Sequence, residues 1–110
     1  MNLNNFPVGI TDWSQISESV HPGASGTAAV HSHQLGDIQL RFVVYSPNYV
    51  ADHWCHKGHI VFVIAGQLVI EHQHSLTYKL MPGMSYHVAD DDEPPHRVIS
   101  DNGATIFIID

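Results

Sequence analysis

The stretch Asp52-His53-Trp54-Cys55-His56-Lys57-Gly58-His59 sets three imidazoles and one thiol within seven positions. It runs directly into the apolar segment Ile60-Val61-Phe62-Val63-Ile64-Ala65-Gly66. Neutral imidazole and thiolate are good donors for zinc, copper, nickel or iron and poor ones for magnesium or calcium. His53 and Cys55 are two residues apart, so in an extended segment they share a face while Trp54 points away. His56-Lys57-Gly58 reads as a short turn, with Gly58 free to take a positive φ. Reversal there would return the chain through His59 and let His53, Cys55 and His59 converge. A lone histidine on a strand is more often an ordinary polar residue; the crowding of four donors is what favours one divalent transition-metal ion. His56, inside the turn, is expected in solvent.

The order His53-x-Cys55, three residues, His59, six residues, Gly66 resembles the first motif of the cupin superfamily: His-x-His, three or four residues, Glu, six residues, Gly. Cys55 stands at the second histidine position and His59 at the glutamate position. The second cupin motif opens on Gly and ends in Pro-x-Gly-x-x-His. Here Gly83 opens it and Pro94-Pro95-His96 closes it, after about two extra residues. Asp52-His53-Trp54-Cys55 is also similar to the signature of small single-domain DHCW-motif cupins, with its last two letters transposed. The resemblance covers roughly residues 38 to 110. It implies an all-β, cupin-type double-stranded β-helix (jelly-roll) barrel, and a metal set of His53, Cys55, His59 and His96. Four protein ligands would make a closed site suited to structural zinc; three would leave positions open to water or substrate. The open case resembles metal-dependent cupin dioxygenases, or isomerases that use the ion as a Lewis acid.

Length and composition bound the rest. A chain of 110 residues is one domain by size. The formal net charge is −7, and only Arg41, Lys57, Lys79 and Arg97 are basic. No basic stripe exists to neutralise phosphates, which argues against nucleic acid as a partner. No apolar run approaches the roughly 18 residues of a membrane helix. No basic-then-apolar signal opens the chain, and the single Cys55 excludes an internal disulfide. Both favour a cytoplasmic protein.

The elements follow from period and punctuation. Residues 1–26 hold no sustained period and read as an N-terminal arm packed on the barrel through Phe6, Ile10, Trp13 and Ile16, with one helical turn capped by Thr11 or Asp12. Residues 27–110 read as the barrel. Strands are expected at Thr27–Gln34, Ile38–Tyr45, Tyr49–Cys55, His59–Ile64, Leu68–His72, Leu76–Leu80, Met84–Ala89, His96–Ile99 and Ala104–Ile109. Turns are expected at Ser46-Pro47-Asn48, at Met81-Pro82-Gly83-Met84 as type II, and at Asn102-Gly103 as a type I′ hairpin. His31 and His33 read as surface strand residues, His72 and His74 as solvated, and His87 as a reserve ligand. Asp90-Asp91-Asp92-Glu93 reads as a solvated acidic loop, since it lacks the alternation and glycine of a calcium loop.

Three functions fit these features. The first is a metal-binding barrel with enzymatic potential. The second is a non-catalytic module holding a small sugar or acid near Arg41 or Tyr86. The third is an interaction protein whose apolar strand faces form a homodimer.

Overall fold

The structure, a computed structural model, describes residues 3–110. A 3-10 turn at Trp13–Gln15 precedes eight strands: β1 (Glu18–Pro22), β2 (Thr27–Leu35), β3 (Ile38–Val50), β4 (His59–Gly66), β5 (Leu68–His72), β6 (Thr77–Leu80), β7 (Ser85–Val88) and β8 (His96–Ile109). The sheet order is β1-β2-β3-β8-β4-β7, and β5 pairs both β6 and β8. Every pairing is antiparallel. No helix among the described residues is long and apolar enough to cross a membrane.

The strand alternation explains which side chains face inward. Val43 and Tyr45 on β3, Val61 and Val63 on β4, Leu68 and Ile70 on β5, and Ile106 and Ile108 on β8 are all buried in one core. The alternate residues of β4 take the opposite face: Ile60, Phe62 and Ile64 are 41–44% exposed. The apolar run of β4 therefore serves two surfaces, of which only one is the core. On the outer surface Phe42, Phe107 and Phe62 stand side by side across β3, β8 and β4. Trp13 covers part of that row, 6.2 Å from Phe42 and 5.8 Å from Phe107 between ring centroids.

β3 and β8 are longer than their sequences suggest. The expected turn at Ser46-Pro47-Asn48 is a bend inside β3, and pairing with β8 continues from Tyr45↔Ala104 through Pro47↔Asn102 to Tyr49↔Ser100. Asn48 takes a positive φ at that bend. The expected hairpin at Asn102-Gly103 is likewise a kink inside β8, with Gly103 at φ 89°. Both turn-like sequences lie opposite one another, so the two strands bend together and pass from one part of the sheet to the next. Turn residues supply positive φ equally well to a bulge or a reversal, and the partner strand decides which forms. The glycine at Met81–Met84 does make its expected turn, with Gly83 at φ 88° and Met84 N–H bonded to the Met81 carbonyl.

The arm is partly sheet. Glu18–Pro22 pairs with β2, extending the barrel wall beyond residue 27. His31 and His33 hold the segment before it: His31 Nδ1 donates to the Ile16 carbonyl at 2.8 Å, and His33 Nδ1 lies 3.0 Å from Thr11 Oγ1. Trp13 packs on Phe42 and Phe107, whereas Ile10 is 95% exposed.

Candidate metal centre

Cys55 and His96 are joined by backbone. Cys55 N–H donates to the His96 carbonyl at 2.7 Å and His96 N–H to the Cys55 carbonyl at 3.1 Å, an isolated antiparallel bridge. Residues paired this way put their side chains on the same side. His59 enters from the first position of β4, directly after Gly58. A Cβ at Gly58 would lie 2.5 Å from Asp90 N, and Gly58 N–H donates to Asp90 Oδ1 at 2.7 Å. The acidic loop thus pins the approach to His59; a side chain at 58 would push it off.

One ligand atom each from Cys55, His59 and His96 lies within 4.8 Å of the others. The two imidazoles meet through their Nε2 atoms at 2.8 Å. His96 is 3% exposed, and the His59 side chain 9%. Burial, and then the neighbouring His96, holds His59 down at about 4. Burial, and then His72, lowers His96 in the same direction. Both rings are therefore neutral at pH 7, the state in which imidazole coordinates a metal. The Cys55 Sγ accepts from Lys57 N–H at 3.4 Å, which fixes the direction of the sulfur.

Behind His59 lies Asp110, whose side chain is 1% exposed. Its Oδ2 accepts from Arg41 at 2.8 Å and stands 3.7 Å from Lys57 Nζ and 3.9 Å from His59 Nδ1. His59 Nδ1 is buried without a hydrogen-bond partner among the described residues. With Nε2 turned to the site, the ring proton belongs on Nδ1, on the side of this carboxylate, which is how carboxylates orient metal-binding histidines. The neutral Nε2 pair and the adjacent sulfur form a donor set that fits a soft-to-borderline transition metal.

The structure brings together three of the four expected ligands. His53 stays outside. Sharing a face with Cys55 required an extended segment, but the chain bends at Asp52 and His53 and β3 has already ended at Val50. The His53 side chain is 76% exposed and its Nδ1 lies 2.7 Å from Asp52 Oδ1. His56 is exposed, as expected, 3.5 Å from Glu93. His87 is exposed on β7.

His72, expected in solvent, instead sits inside the barrel opposite His96 in the β5–β8 register, with ring centroids 5.7 Å apart. Its Nδ1 donates to the Pro94 carbonyl at 2.8 Å, which leaves Nε2 to accept from the Tyr86 hydroxyl at 2.7 Å. Burial, and then Tyr78, pushes the Tyr86 hydroxyl up to about 12, so it stays a donor. The signal for His72 was present in sequence: it follows Leu68 and Ile70 at period two, the inward-facing set. The adjacent turn residues masked it.

No protein-family model matches the chain, and no curated protein does at a significant level. Solved structures do. A cupin-superfamily sugar phosphate isomerase from Silicibacter pomeroyi aligns with a TM-score of 0.71 at 18% identity, covering 92% of this chain and 74% of that one. Ectoine synthase from P. lautus gives a TM-score of 0.73 at 14% identity, covering 93% and 76%. A cupin domain from Bordetella pertussis gives 0.59 at 21% identity, covering 81% and 93%. The chain has the cupin fold, an all-β jelly-roll barrel with an N-terminal arm.

Proposed function

We propose that this protein is a metal-dependent cupin enzyme acting on a small molecule, with zinc held by Cys55, His59 and His96 and Lewis-acid chemistry of the isomerase kind. The convergence of one thiol and two neutral imidazoles inside the barrel carries this reading. A thiolate among the donors favours zinc over the carboxylate-containing sets of non-haem iron oxygenases, and so favours isomerisation over dioxygen chemistry. Three protein ligands are the pattern of catalytic zinc, in which a fourth position is open. When bound, the ion would polarise a carbonyl or hydroxyl oxygen of the substrate.

The chain's own residues would do the rest. Asp110 would hold His59 in the Nδ1–H tautomer. The Tyr86 hydroxyl, donating to His72 Nε2, would hold a proton beside the site, and the Pro94 carbonyl fixes which ring nitrogen receives it. The likeness to an isomerase is consistent with this chemistry without naming a substrate.

Cobalt(II) substitution tests the open position. A sulfur-to-cobalt charge-transfer band that disappears in Cys55→Ser, with visible bands that shift when azide is added, supports the reading. Visible bands indifferent to azide would mark a closed structural site and contradict it.

The outer Phe42-Phe107-Phe62 row supports a homodimer formed across that face, with Val44, Ile60 and Ile64 around it. Sedimentation should give a dimer that Phe62→Glu dissociates; a wild-type monomer at high concentration would contradict it.

A further inference from the structure

A second cavity of about 480 Å³ opens in the barrel on the β2–β3 side and shares no lining residue with Cys55, His59 or His96. Its volume lies within the usual range for small-molecule sites. Arg41, Tyr45 and Tyr49 are among the hydrogen-bonding residues that line it, with Ser32 and Gln39. The two tyrosine rings pack with centroids 4.5 Å apart. Tyr45 is 8% exposed, and no hydrogen bond reaches either hydroxyl among the described residues. Arg41 spends one nitrogen on Asp110, while its buried Nε has no partner among the described residues. Buried polar groups in folded proteins are normally paired, so the orphaned Arg41 Nε calls for an acceptor, and the two phenols beside it can donate to the same one. Burial, and then Tyr49, keeps the Tyr45 hydroxyl well above the usual phenol range; burial, and then Asp52, raises Tyr49. Both stay protonated donors.

We infer that this cavity binds the carboxylate of a small organic acid, gripped by Arg41, Tyr45 and Tyr49, with a short aliphatic body against Ala28, Val30 and Val43. Charge sets the class. Asp110 lies between two cations, 2.8 Å from Arg41 and 3.7 Å from Lys57, so it does not cancel the guanidinium, while exposed Asp52 also lines the cavity. The positive charge left over suits a monoanion, and Asp52 disfavours a dianion such as phosphate. Guanidinium and phenol donors match the planar carboxylate fork. The apolar wall gives the rest of the ligand a dry surface. The inference stands on its own lining and does not require the metal centre to be filled.

Calorimetric titration with butyrate, 2-hydroxybutyrate, butyramide and inorganic phosphate tests it, on full-length protein with its metal content measured before and after chelation. Saturable binding of butyrate or 2-hydroxybutyrate in chelated protein, with butyramide and phosphate at least tenfold weaker, supports the inference. Tyr45→Phe and Tyr49→Phe keep the ring packing and should each weaken the acid about tenfold, the worth of one hydrogen bond to a charged group. Arg41→Lys should weaken it further, although that variant also disturbs the Asp110 pair; the tyrosine variants decide if it fails to fold. Butyramide binding as well as butyrate, phosphate binding more tightly, or tyrosine variants at wild-type affinity would overturn the inference. Binding present only before chelation would place the carboxylate on the metal instead and overturn it as well. Protein that carries no metal as purified, takes none up and still binds butyrate would sink the metal reading alone.

Discussion

Lowering the pH of chelated protein should expose His59 as a liability. Its folded-state value of about 4 lies below the ordinary histidine value of 6.5, chiefly because its ring is buried and then because His96 faces it. A base that binds its proton less readily when folded loses stability on acidification. His59's contribution is fully present above pH 6.5 and is lost as the pH falls through the folded value. Each tenfold difference in proton affinity is worth about 1.4 kcal/mol, so the loss reaches roughly 2–3 kcal/mol by about pH 4.5. The chain holds ten histidines, so the quantity to measure is a difference. Urea unfolding of chelated wild type and of His59→Asn, at about pH 7.5 and about pH 4.5, isolates it. The wild type should lose roughly 2–3 kcal/mol more than the variant on acidification. Parallel losses within about 0.5 kcal/mol would refute the claim that His59 is held neutral by its surroundings.

Other outcomes follow from the same geometry. Cys55→Ala, His59→Ala and His96→Ala should each sharply reduce metal retained after dialysis, whereas His53→Ala should keep the wild-type amount; equal loss in all four would restore His53 to the site. Zinc at about 100 times its dissociation constant should stabilise the fold by about 2.7 kcal/mol, reversibly on chelation, as read from urea midpoints. Asp110→Asn should lower zinc affinity about tenfold by loosening His59, and an unchanged competition titration with a chelating dye would count against that role. Gly66→Ala should cost about 1–3 kcal/mol, because Gly66 sits at φ 77° and a Cβ there would overlap the carbonyl oxygen of Gly103. Unchanged unfolding would mean that the β4–β8 contact yields easily.

The positions of β2, β4 and β5 were legible from period and punctuation, and the type II turn at Pro82-Gly83 as local chemistry. Two motif-like turns were not. Pro47-Asn48 and Asn102-Gly103 carry every local sign of reversal, yet they face one another across a ladder and become a shared bend. Their outcome depends on a partner 55 residues away in sequence, which no local window contains. At the site, Cys55, His59 and His96 could be found because the backbone bridge and the turn before β4 reproduce the spacing of a known motif. His53 was misplaced by assuming an extended backbone through Asp52, and His72 was missed because turn residues follow it. In both cases the residue type was informative and the local backbone direction was not.

The central claim is that Cys55, His59 and His96 close on one transition-metal ion. Elemental analysis of untagged protein, purified without chelator and compared with the Cys55→Ala, His96→Ala double variant, tests it most directly. The account predicts about one zinc per wild-type chain and almost none in the double variant. A metal-free wild-type protein that takes up no zinc, cobalt, nickel or iron on titration, with unfolding unchanged by chelator, would contradict it.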